Sequence, residues 1–309
     1  MNSKGIKVFS PATVANVGCG FDVMGFALDT PGDVIEVKER AEPGIIITNL
    51  VKGVNLPLEP EKNTTGIALI KYLEHIESNL GFEVIFHEKI NPGSGIGSSS
   101  ASAVAGIFAV NELLERPLTK KELVPFAMEG ERVACGVAHA DNVAPALLGG
   151  FVLIRSYVPL DIVSIPFPDA LHCTVVHPQL EVKTEDARKV LKKTISLKDA
   201  ITQWGNVGGL VAGLATGDIP LIGRSLEDVV IEPIRSLLIP GYHQVKEAAL
   251  DTGAMGCSIS GSGPTLFALS DSEGMAQQVG YAMQASFKSL GVDSTVYVSK
   301  INKQGPRVI

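Results

Sequence analysis

Asn91-Pro-Gly-Ser-Gly-Ile-Gly-Ser-Ser-Ser-Ala-Ser-Ala-Val104 joins two segments of different period. Before it, Gly81 to Glu88 sets Phe82, Val84 and Phe86 against Glu83, Ile85 and His87, the spacing of two that predicts a strand. After it, Ala101, Val104, Ala105, Phe108 and Ala109 recur at three and four, which predicts a helix to about Arg116. Glycines in the join allow positive φ and close approach of a ligand to the backbone. Serine caps a helix start well. The first turn leaves N–H groups without intrahelical partners, and the helix dipole adds partial positive charge there. Strand, glycine loop and helix start therefore make a place for phosphate. A Walker loop needs lysine after its last glycine, but Ser98 follows Gly97; a dinucleotide fingerprint needs glycine at position 98. The plainer alternative is a glycine turn that only packs helix on sheet. Three consecutive hydroxyls weigh against it, because packing does not need donors or possible Mg²⁺ ligands.

The chain has 309 residues, 45% of them hydrophobic, enough for two domains or one large one. Its 32 glycines exceed the usual proportion of about 7%. The formal net charge is −7 and no basic block occurs, so nucleic acid is not an expected partner. Cys19, Cys135, Cys173 and Cys257 lie far apart, with neither zinc spacing nor a disulfide framework, as suits a reducing compartment. MNSKGIKVFS lacks a signal-peptide core. The longest apolar tract, Val143 to Ile154, is broken by Pro145 and two glycines and is too short to span a bilayer. A cytoplasmic protein without membrane contact is expected.

Working outward, Ile6 to Phe9 reads as a first strand and Ser10 to Gly25 as a loop in which Asn16 and Asp22 stand out. Such residues either make turns through their own side chains or hold a polar ligand. Asp33 to Lys38 and Ile45 to Thr48 read as strands, and Asn63 or Thr64 as the cap of a helix bearing Ile67, Ile70, Leu73, Ile76 and Leu80. Thr119 with Glu122 forms a capping box ahead of a helix to about Cys135. Glu129 and Glu131 on it point about 200° apart, so at most one faces a given site. Gly136 to Gly150 reads as a second loop, with His139, Asp141 and Asn142 among small and apolar neighbours. Polar groups in such company are paired or functional. Phe151 to Arg155 is expected to start a new sheet, giving domains 1–150 and 151–309. Thr184 caps a short helix carrying Arg188; Ser196 and Asp199 cap a longer one with Ile201, Trp204, Val207, Leu210, Val211 and Leu214 on its apolar side. Arg235 lies near a chain turn, and Gly253 to Thr265 forms a second glycine-rich loop. The two glycine loops share no fixed period, so no internal repeat is read.

Three segments in order, the loop ending Gly-Phe-Asp22, the Gly95-Ile-Gly-Ser-Ser run and Ser260-Gly-Ser-Gly-Pro264, resemble the three motifs of the GHMP kinases. Within that superfamily, Ala15-Asn-Val-Gly-Cys-Gly-Phe-Asp-Val-Met-Gly, His139-Ala-Asp-Asn-Val-Ala-Pro, Glu232-Pro-Ile-Arg and Ile239-Pro-Gly look like the homoserine kinase family. The resemblance implies an α+β, two-domain GHMP kinase fold, with a ribosomal protein S5 domain 2-like N-terminal half and a ferredoxin-like C-terminal half. It implies ATP-dependent phosphorylation of L-homoserine to O-phospho-L-homoserine, a step of threonine biosynthesis, with Mg²⁺ and a homodimer. Pro92, Gly93, Ser94, Gly95, Ile96, Gly97, Ser98, Ser99, Ser100, Ala101 and Ser102 would surround the ATP phosphates, and Asn63 would lie near the adenine. Glu131, eight residues before His139, takes the position of the Mg²⁺ glutamate; Ser98 or Ser99, with Ser99 preferred, would be the hydroxyl ligand. The acceptor is a small zwitterion. Arg188 and Arg235 suit its carboxylate, since arginine grips carboxylates in pairs of hydrogen bonds. Asn16 and Asp22 suit its ammonium, His139 its carboxylate or hydroxyl end, and Thr184 completes the substrate set. Asp141 or Asn142 would face the reacting hydroxyl, unless positioning alone suffices. In one departure from the family, Asn91 stands where a proline is usual and Pro92 abuts Gly93.

Overall fold

The computed structural model describes residues 4–180, 182 and 184–309. The elements run β1 (Gly5–Ala15), β2 (Met24–Arg40), β3 (Gly44–Asn49), α1 (Thr64–His75), β4 (Gly81–Glu88), α2 (Ser98–Leu113), α3 (Lys120–Cys135) and α4 (Ala140–Leu148). They continue with β5 (Phe151–Tyr157), β6 (Leu160–Ile165), β7 (His172–Pro178), α5 (Thr184–Lys189), α6 (Leu197–Thr216), α7 (Ile219–Ser225) and α8 (Glu232–Arg235). The last are α9 (Tyr242–Thr252), β8 (Gly256–Ile259), β9 (Leu266–Ser270), α10 (Glu273–Ser289), β10 (Ser294–Lys300) and β11 (Arg307–Val308). A seven-stranded sheet carries the path β11-β1-β2-β4-β3, with β5 on β2 and β6 on β5; a four-stranded antiparallel sheet has the order β10-β7-β9-β8. This is the expected two-part α+β architecture. Among the described residues no helix is long and apolar enough to cross a membrane.

The centre of the first half is α2. Nearly all of its residues are buried, because the sheet lies on one side and α1, α3 and α4 on the others. A helix enclosed all round needs no polar face. Its run of small residues lets the neighbours come close: a Cβ at Gly106 would lie 2.1 Å from Thr65.

Four expectations change. Ser10 to Ala15 is strand, not loop, because β1 continues antiparallel to the start of β2 through Ala15↔Gly25. The register shifts between Pro11 and Thr13, so the proline's missing donor falls at an irregularity of the ladder. Only residues 16–23 remain as loop. Second, the polar stretch after Gly136 contains α4, with His139 at its N-cap and Pro145 inside. Pro145 offers no N–H to the Asp141 carbonyl. There β2 packs directly, and a Cβ at Gly25 would lie 1.8 Å from that oxygen. Third, Phe151 does not start a new sheet. β5 pairs with β2 through Met24↔Leu153 and Phe26↔Phe151, so the expected division at 150/151 falls inside the first sheet. The second sheet begins only with His172. Fourth, Ile201 and Trp204 are exposed, so helical spacing overstated the buried face of α6, and α1 ends at His75, which leaves the exposed Leu80 outside it.

Beneath the glycine loop lies a charged pair that the sequence reading passed over. Lys89 Nζ sits 3.1 Å from Asp33 Oδ2, and both side chains are almost fully buried. Asp33 also accepts from Ile90 N–H (2.8 Å) and Ser102 Oγ (2.6 Å). Burial pushes the Asp33 carboxyl up and the Lys89 ammonium down; their mutual attraction and these hydrogen bonds oppose that. Removing one partner strands the other. Lys89→Met is therefore expected to lower unfolding free energy by about 3–5 kcal/mol, measured by urea denaturation. An unchanged midpoint would contradict a paired charge at this place.

Candidate active site

The loop from Gly93 to Gly97 is shaped by alternating backbone handedness. Gly93, Gly95 and Gly97 have φ of 76°, 76° and 67°, the left-handed region. Such alternation turns successive N–H groups to one side and makes an anion-binding concavity. Side chains are excluded as well: a Cβ at Gly97 would meet Thr13 Oγ1 at 2.0 Å, and one at Gly95 would meet Gly263 O at 2.9 Å.

Every carbonyl from Ser94 to Ser98 is tied to protein. Ser94 O accepts from Thr265 Oγ1. Gly95 O accepts from Ser260 Oγ (2.7 Å), and Ile96 O from Thr13 N–H (3.1 Å). Gly97 O accepts the helical bond from Ala101 N–H (2.8 Å), and Ser98 O that of Lys89 Nζ (2.7 Å). The motif after β8 thus clamps the loop before α2. No side chain caps α2, so its first-turn amides are directed at the cavity mouth.

A single cavity of about 480 Å³ takes in the loop and the polar groups opposite. It is lined by every expected site residue except Ile96, Ser100 and Ala101. Ile96 and Ala101 belong to the core between sheet and helices. The Ser100 hydroxyl is buried and donates to Glu131 Oε1 at 2.7 Å; Ser99 donates to the same oxygen at 2.6 Å. Glu131 is 7% exposed on α3, whereas Glu129 forms an exposed pair with Arg132. The helix thus separates the two glutamates as the 3.6 period requires. Asn55, Leu56, Pro57, Lys62, Phe86, Lys89 and Val133 also line the cavity and were not expected. The segment around Asn55 has no periodic signal, and Lys89 is a lone charge just past a strand.

At the end of the cavity away from the loop, one carboxylate meets two guanidinium groups. Arg188 grips Asp22 with two hydrogen bonds, 2.7 and 3.1 Å. Arg235 is 3% exposed and donates to Ala187 O (3.1 Å) and Gly261 O (3.0 Å). Both guanidinium groups lie against Phe21, 5.5 and 4.9 Å from its ring centre. Burial, then Arg188, brings Arg235 down to about 10, still protonated at neutral pH. His139 Nδ1 lies 3.7 Å from Asp22 Oδ1, and burial lowers the imidazole toward its neutral form. Asp141 is buried at the cavity wall; burial first, then Asp22 and Glu131, push it up to about 7. Thr184 Oγ1 meets Ser262 Oγ at 3.3 Å.

Three amides are more committed than the sequence implied. Asn16 Oδ1 accepts from Asp22 N–H (3.0 Å) and its Nδ2 donates to Gly261 O (2.7 Å), so it braces loops instead of standing ready for an ammonium. Asn63 caps α1 through Thr65 and Gly66 N–H and donates to Pro57 O at 2.8 Å, so near an adenine it would act as wall. Asn142 Oδ1 accepts from Thr13 Oγ1 at 2.7 Å.

The family models described as GHMP kinases N terminal domain and GHMP kinases C terminal match residues 63–150 and 210–289. A homoserine kinase of Chlorobium phaeobacteroides is 52% identical over 319 aligned positions, covering 99% of this chain and 100% of the relative. One of Xylella fastidiosa is 39% identical over 98% of this chain and 94% of its own length. The crystal structure of homoserine kinase from Cytophaga hutchinsonii superposes with a TM-score of 0.96 at 55% identity, over 100% of this chain and 98% of the other. L. major mevalonate kinase in complex with R-mevalonate, at 17% identity and a TM-score of 0.71 over 97% of both chains, shares the fold. With full-length identity of this order and both halves matched, the chain belongs to the homoserine kinase family of the GHMP kinases.

Proposed function

We infer that this chain transfers the γ-phosphoryl group of ATP to the side-chain hydroxyl of L-homoserine, releasing ADP and O-phospho-L-homoserine. The observation that carries it is one cavity joining a concavity of loop amides to the Asp22, Arg188 and Arg235 cluster. Phosphoryl transfer depends chiefly on alignment and charge neutralisation. The amides at 95–99 face the nucleotide's phosphates, and the anchored carbonyls of 94–98 hold them there before the ligand arrives, while Ser94 N–H is spent on Asn91 O. The acceptor's carboxylate goes to Arg188 and Arg235 and its ammonium to Asp22, so a zwitterion inserts into an existing ion pair without leaving either charge unmatched.

Mg²⁺ belongs to this reading as a proposal. Ser99 Oγ and Glu131 supply hard oxygen donors beside the loop, and one carboxylate with substrate phosphates is a usual Mg²⁺ environment. When bound, the ion would offset phosphate charge. A homodimer and a cytoplasmic location rest on the family resemblance alone.

Of the two candidates for the reacting hydroxyl's proton, Asp141 fits better. An amide is not a base, and Asn142 Oδ1 is held by Thr13. Asp22 is taken by Arg188, and no ion pair holds Asp141 among the described residues. The hydroxyl proton passes to Asp141 as the new O–P bond forms. The bond from the γ-phosphorus to the bridging oxygen breaks, and its electrons leave with ADP.

Three outcomes are expected. A coupled assay should report ADP formation with ATP and L-homoserine; silence with homoserine and activity with mevalonate, shikimate or galactose would reject the acceptor. Glu131→Gln should raise the Mg²⁺ concentration for half-maximal rate at least about tenfold, as loss of one charged ligand implies; an unmoved Mg²⁺ titration would remove Glu131 from that role. For Asp141 the sign runs with its raised value: the carboxyl keeps its proton below about 7 and accepts one above. Log kcat/KM should therefore climb with pH up to about 7 and then level. Asp141→Asn should lose about 100-fold or more in rate together with that ionisation. A variant that keeps the wild-type profile would contradict the base.

A further inference from the structure

Behind the cavity wall, one side chain touches both segments that carry the acceptor-side groups of the N-terminal half. Tyr157 ends β5 and is not among the lining residues. Its hydroxyl donates to the Asp22 carbonyl at 2.8 Å and accepts from the Ala140 N–H at 3.3 Å. One oxygen therefore joins the loop at 16–23 to the first residue of α4.

Both ends of that link need a partner. Asp22 has φ 59°, the left-handed region, where a residue with a Cβ is held only by its surroundings. Asn16 Oδ1 fixes its N–H side and Tyr157 its carbonyl side. At the other end, the Ala140 amide is a first-turn donor without an intrahelical acceptor. His139, the N-cap residue, makes no capping bond with its side chain. Tyr157 supplies the acceptor instead, and its ring stands edge-on to the imidazole, 6.4 Å between centres at 87°. The imidazole is thereby left beside Asp22 instead of folding back onto the helix.

We propose that Tyr157 is a positioning residue for the amino-acid acceptor: its hydroxyl sets the separation between the Asp22 carboxylate, with the Arg188 it grips, and the start of α4, with His139 and Asp141. This rests on the acceptor reading above. The nucleotide loop is anchored by other donors, although Asn142 of α4 accepts from one of them, Thr13. Its carbonyl anchors come from Thr13, Lys89, Ser260 and Thr265, and the Tyr157 hydroxyl bonds to none of these.

Tyr157→Phe in the full-length chain tests the proposal, because it removes one oxygen and keeps the ring. A displaced Asp22–Arg188 pair loses its hold on the charged ends of the acceptor, so the loss falls on acceptor binding. The KM for L-homoserine should rise about tenfold or more, with the KM for ATP within about twofold. Both KM values unchanged with a lower kcat would mean only less active protein, and a parallel rise in both would mean general loosening. Either result overturns the proposal. A second readout needs no turnover. In amide hydrogen exchange without ligands, peptides spanning 17–24 and 137–142 should exchange faster in the variant, while 93–99 keeps its rate. Unchanged exchange in the first two peptides overturns the positioning role whatever the acceptor is. Absence of homoserine turnover in the wild type counts against the acceptor reading instead.

Discussion

The structure depends on how five successive carbonyls are tied down. From Ser94 to Ser98 each accepts a hydrogen bond from protein, and the donors come from β1, from Lys89, from α2 itself and from the loop after β8. A peptide unit whose C=O is held on one side presents its N–H on the other. Glycines at 93, 95 and 97 allow the required φ, and a Cβ at 95 or 97 would break the contacts that hold the loop. The concavity is thus a property of the assembled fold. The two sheets must meet for Ser260 and Thr265 to reach it.

The same economy governs the other end of the cavity. Asp22, Arg188 and Arg235 would be costly as isolated charges in a partly buried pocket. Asp22 pairs with Arg188, Arg235 donates to the Ala187 and Gly261 carbonyls, and Phe21 backs both guanidinium groups. A ligand bearing one positive and one negative group can enter such a cluster and preserve its balance. An uncharged ligand offers nothing in exchange for the Asp22–Arg188 pair, and the penalty for an unmatched buried charge is the basis of selection. Distant relatives that share only the fold, such as the mevalonate kinase, show that the scaffold is not tied to one acceptor.

Much of this was legible in the sequence where local chemistry decides. The strand, glycine loop and buried helix around residues 91–104, and the polar residues 139–142, announce themselves by period and composition. Sequence missed what only folding brings together. Asp33 and Lys89 look like ordinary strand-end charges until both are buried under the loop. Tyr157 carries no motif, and its role exists only because β5 joins the first sheet, which a local reading had placed in a second. Asn63 is the cap that its sequence suggests, but whether an amide such as Asn16 is spent on a neighbouring backbone or left for a ligand depends on distances that spacing does not encode. The stretch 136–150 reads as loop in the sequence, whereas 140–148 is helical with Pro145 inside; the tolerated gap at the Asp141 carbonyl is a tertiary fact.

The central claim is that one cavity presents backbone N–H groups to a triphosphate and a carboxylate with two guanidinium groups to an amino acid. The most direct measurement is a crystal structure with a non-hydrolysable ATP analogue and L-homoserine bound together. The account predicts β- and γ-phosphate oxygens within hydrogen-bond distance of amides between residues 93 and 99, and the homoserine carboxylate against Arg188 and Arg235 with its hydroxyl turned to the γ-phosphate. A triphosphate lodged away from that loop, or a homoserine carboxylate remote from both arginines, would contradict it.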